Sequence, residues 1–273
     1  MKTSVTFSCL KHDGHACSAI GLGIAYVASY ALKHLGDRIE GELFQLCPDF
    51  VERLEREIPK IACFSNYIWN TNLSYEFATR IKKKSPDSII VFGGPNYPLR
   101  PDEQETFLLA RPNIDFYIFR EGEKPFVELF NILIKYNFDV DRIKKDQLKI
   151  SNCHYITEGK IVTGDLCPQV APLDDIPSPY LTGLCDKLLN SIMIPIIQTK
   201  RGCPFKCTFC EDGNDYFNRV KGFSFQRIKE ELHYIGQRAQ IQDLMLADLN
   251  FGMYKDDLVV AREIAGCQKK YGW

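Results

Sequence analysis

Three cysteines, Cys203, Cys207 and Cys210, carry the clearest capacity for chemistry in this chain, spaced CxxxCxxC in the stretch Arg201, Gly202, Cys203, Pro204, Phe205, Lys206, Cys207, Thr208, Phe209, Cys210. Thiolates packed this closely are costly to bring together unless a metal neutralises them, so the cluster reads as a metal or iron-sulfur site. A disulfide is the weaker reading: three is an odd number, no secretory signal is read at the N-terminus, and a reducing cytosol leaves thiols free. Positions i, i+4 and i+7 also form one face of a helix, where cysteine serves as a small core residue. Gly202 and Pro204 oppose that helix, because they stand where one could only be starting and favour a loop folded around a ligand.

Two metals compete for such a loop. Structural zinc wants four protein ligands at finger-like spacing, and the nearest further candidates, Cys185, His233 and Cys267, are far away in sequence. Three cysteines around a four-iron cluster would leave one iron open to an outside ligand, which suits catalysis. A non-catalytic zinc or iron-sulfur module fused to a small-ligand domain is the alternative.

The run from Thr199 to Cys210 resembles the signature of the radical S-adenosylmethionine (radical SAM) enzymes. In that family the three cysteines hold a 4Fe-4S cluster, the open iron binds S-adenosylmethionine, and an electron from the cluster cleaves it to a 5'-deoxyadenosyl radical. The resemblance implies that Cys203, Cys207 and Cys210 are the cluster ligands and that Phe209 lies against the adenine. Asp248 and Asn250 resemble the family's acidic and amide positions after the second barrel strand, where they would help position S-adenosylmethionine; a turn or capping role is the other reading. An electron donor such as flavodoxin or ferredoxin is implied as partner. No further catalytic residue is identified.

The elements that must position this loop are legible in outline. With 273 residues, 45% hydrophobic and 25% charged, the chain is globular and long enough for one large or two ordinary domains. A net charge of -1 and a pI near 6.5 supply no electrostatic reason to expect nucleic acid or an acidic membrane. The longest uncharged run, Ser18 to Leu32, is too short to span a bilayer, and a cytoplasmic location is expected.

From Ser4 to Tyr136 the pattern alternates strand and helix five times, which predicts an α/β fold with a parallel, doubly wound, flavodoxin-like sheet. Strands are expected at 5–10, 39–44, 61–65, 89–93 and 114–119, and helices at 19–35, 50–57, 73–84, 102–110 and 125–136. Ser18 is the expected cap of the first helix and Gly36 its stop. Such sheets bind ligands at the carboxyl ends of their strands. Candidate contacts there are Asp13, Gly14 and His15, then Ser65, Asn66 and Tyr67, then Gly93, Gly94 and Pro95, and finally Glu121, Gly122 and Glu123.

The order of these pieces resembles the cobalamin-binding domain that precedes the catalytic barrel in one large class of radical SAM enzymes. Ile61 to Pro95, with Asn66, Trp69, Asn70 and the Gly93-Gly94-Pro95 turn, carries the likeness, as does Asp115 to Glu123. Cobalamin is thereby implied as a cofactor, assisting methyl transfer or another radical modification of a small-molecule or peptide substrate. His15 occupies the place of the cobalt-ligating histidine in the DxHxxG motif of other corrinoid proteins. Ser18 stands where that motif has glycine, which favours a loop histidine over a cobalt ligand.

Three regions are therefore expected: a cobalamin-binding-like domain at 1–136, a hairpin and proline-rich linker at 137–190, and the first part of a radical SAM barrel at 191–273. The hairpin spans Lys149 to Val162 with its turn at Glu158 and Gly159. The barrel part is predicted as a strand at 192–198, the cysteine loop, a helix at 225–238, a strand at 243–248 and a helix at 256–270. Barrel units take about 30 residues each, so only two fit, where the resemblance implies a partial barrel of six. The expectation is a chain truncated within the barrel. A signalling receiver has the same alternation, but the acidic strand ends it needs are here Cys9, Leu10 and Ser65.

Overall fold

The computed structural model describes residues 2–12 and 19–273. By contact the chain falls into two compact units, one made of Gly23–Gln169 together with the first strand, the other of Val170–Trp273 together with residues 19–22.

The first unit is built on strands β1 (Thr3–Lys11), β2 (Ile39–Leu46), β3 (Ile61–Ser65), β4 (Ile89–Gly93) and β5 (Phe116–Ile118), followed by β6 (Cys153–Thr157) and β7 (Lys160–Thr163). Their order in the sheet is β2-β1-β3-β4-β5-β6-β7, with the first five parallel and the last two antiparallel. Helices α1 (Leu22–Leu35), α2 (Cys47–Arg56), α3 (Thr71–Lys84) and α4 (Pro101–Leu109) connect the parallel strands, and α5 (Glu123–Lys135) and a short α6 (Val140–Lys145) lead from β5 to β6. This is the flavodoxin-like order expected from the sequence.

Both faces of the central strands are buried, as a doubly wound sheet requires. Leu10, Ala62, Phe64, Ile90, Phe92 and Tyr117 point to one face and pack with Phe50 of α2, Phe77 and Ile81 of α3 and Leu108 of α4. The alternate residues face the other way, where Phe7 meets Phe126 of α5 edge-on at 5.2 Å.

Several boundaries differ from expectation for physical reasons. The first helix begins at Leu22, because Ala19 forms a parallel bridge to Ile194 and the Ile20 N–H donates to the Ile194 carbonyl at 2.9 Å. Its expected cap, Ser18, lies outside the described residues. The helix stops at Gly36, whose φ of 54° is the left-handed conformation. Strand β5 is shorter than 114–119, because the Asp115 carboxylate accepts from the Ile90 N–H at 2.7 Å and takes a carbonyl's place in the ladder. Lys82 neutralises that carboxylate at 2.7 Å. The hairpin expected within 137–190 is present, turning at Glu158 (φ 49°) and Gly159 (φ 76°), and it extends the sheet by pairing Tyr117 with His154.

The second unit contains β8 (Ile196–Ile197), β9 (Lys200–Arg201), β10 (Lys221–Gly222) and β11 (Met245–Leu246), with α7 (Asp186–Leu189), α8 (Phe225–Arg238) and α9 (Asp257–Tyr271). Strands β8 and β11 run parallel and β9 and β10 antiparallel. The proline-rich stretch is docked within this unit. Asp174 accepts from the Ser224 N–H at 3.1 Å, and the Tyr180 hydroxyl both donates to the Ile196 carbonyl (2.7 Å) and accepts from its N–H (3.2 Å). Helix α8 starts at the Ser224 cap and buries Ile228, Leu232 and Ile235, the face read from the sequence. Strands β8 and β11 are two residues long where seven and six were expected: Pro195 has no N–H to give, and beyond Ile197 a side chain replaces the ladder, as described next.

Candidate functional site

The cysteine loop, residues 202–220, leaves β9 and returns through β10, so the two-strand ladder closes its base. Two positions in it are glycine by necessity. At Gly202 φ is 106°, and a Cβ would lie 2.7 Å from the Arg219 carbonyl oxygen; at Gly213 it would lie 2.5 Å from that of Cys207. Folded this way, the loop holds the Cys203 N–H on the Phe217 carbonyl at 2.8 Å and the Cys210 N–H on that of Cys207 at 3.1 Å. Cys203 is half-buried, Cys207 and Cys210 are exposed, and none of the three is in a disulfide. The loop thus carries three free thiols, the donor set of a metal cluster that takes three protein ligands and leaves one position open.

Two clasps fix where this loop starts. The Asp248 carboxylate accepts from the Thr199 N–H at 2.6 Å and from the Thr199 hydroxyl, tying the end of β11 to the residue before β9. Lys200 is paired with the buried Asp257 and lies 3.1 Å from Asp256. Asp257 also accepts from the N–H groups of Gly252 and Tyr254, both at 2.9 Å. Burial alone would raise the Asp257 carboxyl, but Lys200 and the two N–H donors outweigh it and hold it low. For Lys200 burial lowers the ammonium, and the two carboxylates outweigh that and raise it. This pair had no sequence signal, since its members lie 57 residues apart.

The residues expected around S-adenosylmethionine fall into distinct environments. The Asn250 amide donates to the Cys203 sulfur at 3.1 Å, so the segment after β11 does meet the first cysteine. Asp248 is committed to Thr199. Phe209 is 91% exposed.

In the first unit, the candidate residues gather at the carboxyl edge of the sheet. Ser65 and Gly93 close the β3–β4 ladder, and the Asn66 N–H donates to the Gly93 carbonyl at 2.6 Å. Gly94 has φ 126°, and a Cβ there would sit 2.7 Å from the Asn66 carbonyl oxygen. The fully buried Asn66 donates to the Tyr117 hydroxyl (3.0 Å) and the Asn96 carbonyl (2.5 Å) and accepts from the Thr71 hydroxyl (2.7 Å). Its side chain therefore locks the loops after β3 and β4 together. Tyr117 completes the lock by donating to the Gly94 carbonyl at 2.9 Å.

Asn70 works the same way, capping the Tyr67 N–H at 2.8 Å and reaching the Leu10 carbonyl of β1 at 3.1 Å. The Pro95 carbonyl accepts from the Tyr97 N–H at 2.9 Å, and that of Glu121 from the Asn152 amide at 3.3 Å. Gly122 precedes α5, with Glu123 buried in its first turn. His15 lies outside the described residues. Beyond β3 and β4 the same edge exposes Ile68 (81%), Trp69 (42%) and Leu99 (69%). Trp69 is stacked on Tyr67 with centroids 4.5 Å apart. A rigid loop base under exposed apolar side chains fits a large cofactor with an apolar face.

Residues 6–130 match the B12 binding domain family. Over 220 residues the chain is 27% identical to the cobalamin-dependent radical SAM methyltransferase TokK of Streptomyces tokunonensis, an alignment covering 78% of this chain and 31% of that protein. It is 28% identical, with the same coverage, to a 2-(S-pantetheinyl)-carbapenam-3-carboxylate methyltransferase of Streptantibioticus cattleyicolor. Among solved structures, the cobalamin-dependent S-adenosylmethionine radical enzyme OxsB superposes with a TM-score of 0.68 at 19% identity, covering 98% of this chain and 37% of that one. The radical S-adenosylmethionine methyltransferase TsrM of Kitasatospora setae superposes with a TM-score of 0.65 at 16% identity, covering 98% and 52%. The chain thus spans between about a third and a half of the length of the proteins it resembles. Among the described residues no helix is long and apolar enough to cross a membrane.

Proposed function

From a chain whose residues 6–130 match the B12 binding domain and which is related to cobalamin-dependent radical SAM methyltransferases, we propose the cofactor-binding part of such an enzyme. Its substrate would be a small molecule or peptide and its electron donor a flavodoxin or ferredoxin. When bound, the 4Fe-4S cluster would supply the electron that cleaves S-adenosylmethionine, and cobalamin would assist methyl transfer or another radical modification. The functional division proposed is 1–136 for cobalamin, 137–190 as connection and 191–273 for the cluster.

The observation that carries this reading is the Asn250 amide on the Cys203 sulfur at 3.1 Å, which joins the segment after β11 to the three-thiol loop. In this reading Cys203, Cys207 and Cys210 hold the cluster, and Asn250 donates to one ligating sulfur and tempers its charge. Asp248 and Lys200 keep the start of the loop in place, while Phe209 stands ready to cover the adenine. At the sheet edge, Asn66 and Gly94 shape the cobalamin floor. Ser65, Gly93, Pro95, Glu121, Gly122 and Glu123 would line it.

Iron, acid-labile sulfide and zinc measured after anaerobic reconstitution test this reading, on the parent and on Cys207→Ala side by side. Iron and sulfide in roughly equal amounts, lost in the variant, support it. Zinc without sulfide overturns it and leaves a non-catalytic metal module.

A further inference from the structure

Away from the cysteine loop, α8 and α9 bring together three donors of different chemistry, His233, Glu263 and Cys267, with one ligand atom of each within 4.8 Å of the others. Glu263 and Cys267 are four residues apart on one face of α9, and His233 meets them from α8. The His233 Nε2 lies 3.0 Å from a Glu263 carboxylate oxygen, and its Nδ1 lies 2.9 Å from the Tyr271 hydroxyl and 3.9 Å from the Cys267 sulfur. Cys267 is fully buried, whereas His233 and Glu263 are half-buried, so the cluster is closed on its thiol side and reachable from the other.

We propose that His233, Glu263 and Cys267 form a site for a zinc-like divalent transition metal that braces α8 against α9. An ion pair between the helices would need only the imidazole and the carboxylate; the buried thiol supplies a third, soft donor. Thiolate with imidazole selects borderline metals such as zinc over magnesium or calcium, which prefer oxygen throughout. Bonds of about 2.0–2.3 Å set the donors about 3.5 Å apart, so the sulfur draws in while the imidazole and carboxylate part slightly from 3.0 Å, changes within reach of side-chain torsions. Three protein ligands leave a fourth position for water on the open side. Tyr271 supplies the outer hydrogen bond that orients a ligating imidazole. Ligation by the Cys267 thiol displaces its proton, so metal uptake strengthens as pH rises.

The test is a Co2+ titration of the full chain carrying Cys203→Ser, Cys207→Ser and Cys210→Ser, which removes the loop thiols and separates this site from the proposed cluster. One equivalent bound with a thiolate-to-cobalt charge-transfer band, bleached by Zn2+, is the expected result. Adding Cys267→Ser should abolish the band, and adding His233→Gln or Glu263→Gln should weaken binding by more than about tenfold. The absence of any band in the triple Cys→Ser chain, or a band that survives Cys267→Ser, overturns the proposal. Should Cys267→Ser not fold, the exposed-side variant Glu263→Gln decides: a folded protein that binds Co2+ as tightly as its parent also overturns it.

Discussion

Gly94→Ala probes the junction on which the proposed cobalamin edge is built. The added Cβ would lie 2.7 Å from the Asn66 carbonyl oxygen and 2.9 Å from its nitrogen, both backbone atoms of a fully buried residue. Relief requires the two loops to part by several tenths of an ångström. That movement loosens the Asn66 N–H bond to Gly93 (2.6 Å) and the Asn96 N–H bond to Asn66 (3.1 Å). The backbone itself, at φ 126°, suits glycine alone. Strain of about 1–3 kcal/mol plus roughly 1 kcal/mol for a weakened buried hydrogen bond sums to about 2–4 kcal/mol. Trp69, stacked beside this junction, reports it by fluorescence during urea unfolding, with Trp273→Phe removing the other tryptophan. With a urea slope of about 2 kcal/mol per molar, the midpoint falls by roughly 1–2 M. Cobalamin affinity should fall in the same variant. An unchanged midpoint together with unchanged affinity would refute the locked-loop reasoning.

Three further outcomes follow from the same geometry. Burial pulls the His154 imidazole down to about 4, so it is neutral when folded and charges more readily when unfolded, near pH 6.5. The unfolded chain then binds the extra proton between those values, so stability is full above about pH 6.5 and falls by about 3 kcal/mol as pH drops to 4. Urea midpoints measured across that range should show this slope, and His154→Gln should flatten it. Lys200→Met leaves Asp257 buried and unpaired, costing about 3 kcal/mol in the second unit; Asp257→Asn added to it should restore most of that loss in thermal unfolding. Asp248→Ala strands the Thr199 N–H and hydroxyl at a cost of about 2 kcal/mol, lowering reconstituted iron while cobalamin uptake stays at the parent level.

The parts of this fold set by local chemistry were legible before any coordinates. Strands β3 and β4 and helix α8 coincide with their expected ranges, because continuous buried apolar runs and a 3.6-residue stripe are local patterns. The hairpin was legible from Glu158 and Gly159, which adopt the positive φ values their turn needs. What escaped depended on distant partners. Asp115 shortens β5 by entering the ladder of β4, and Asp248 does the same to the end of β8 from 49 residues away. Helices α6 and α7, six and four residues long, are too short to show a period. At the candidate site, the spacing of the three cysteines is what marks the loop, where Cys203, Cys207 and Cys210 stand as free thiols. Asn66 is a ligand-contact candidate from the sequence alone, and that both of its amide hydrogens are engaged inside the loop is visible only once Tyr117 and Asn96 are placed beside it.

Electron paramagnetic resonance of the reconstituted, reduced chain, recorded with and without S-adenosylmethionine, tests the central claim most directly. A three-cysteine cluster with one open iron predicts a reduced 4Fe-4S signal that changes on adding S-adenosylmethionine and is missing from Cys207→Ala. A signal that is indifferent to S-adenosylmethionine, or a chain that takes up zinc and no sulfide, would contradict it.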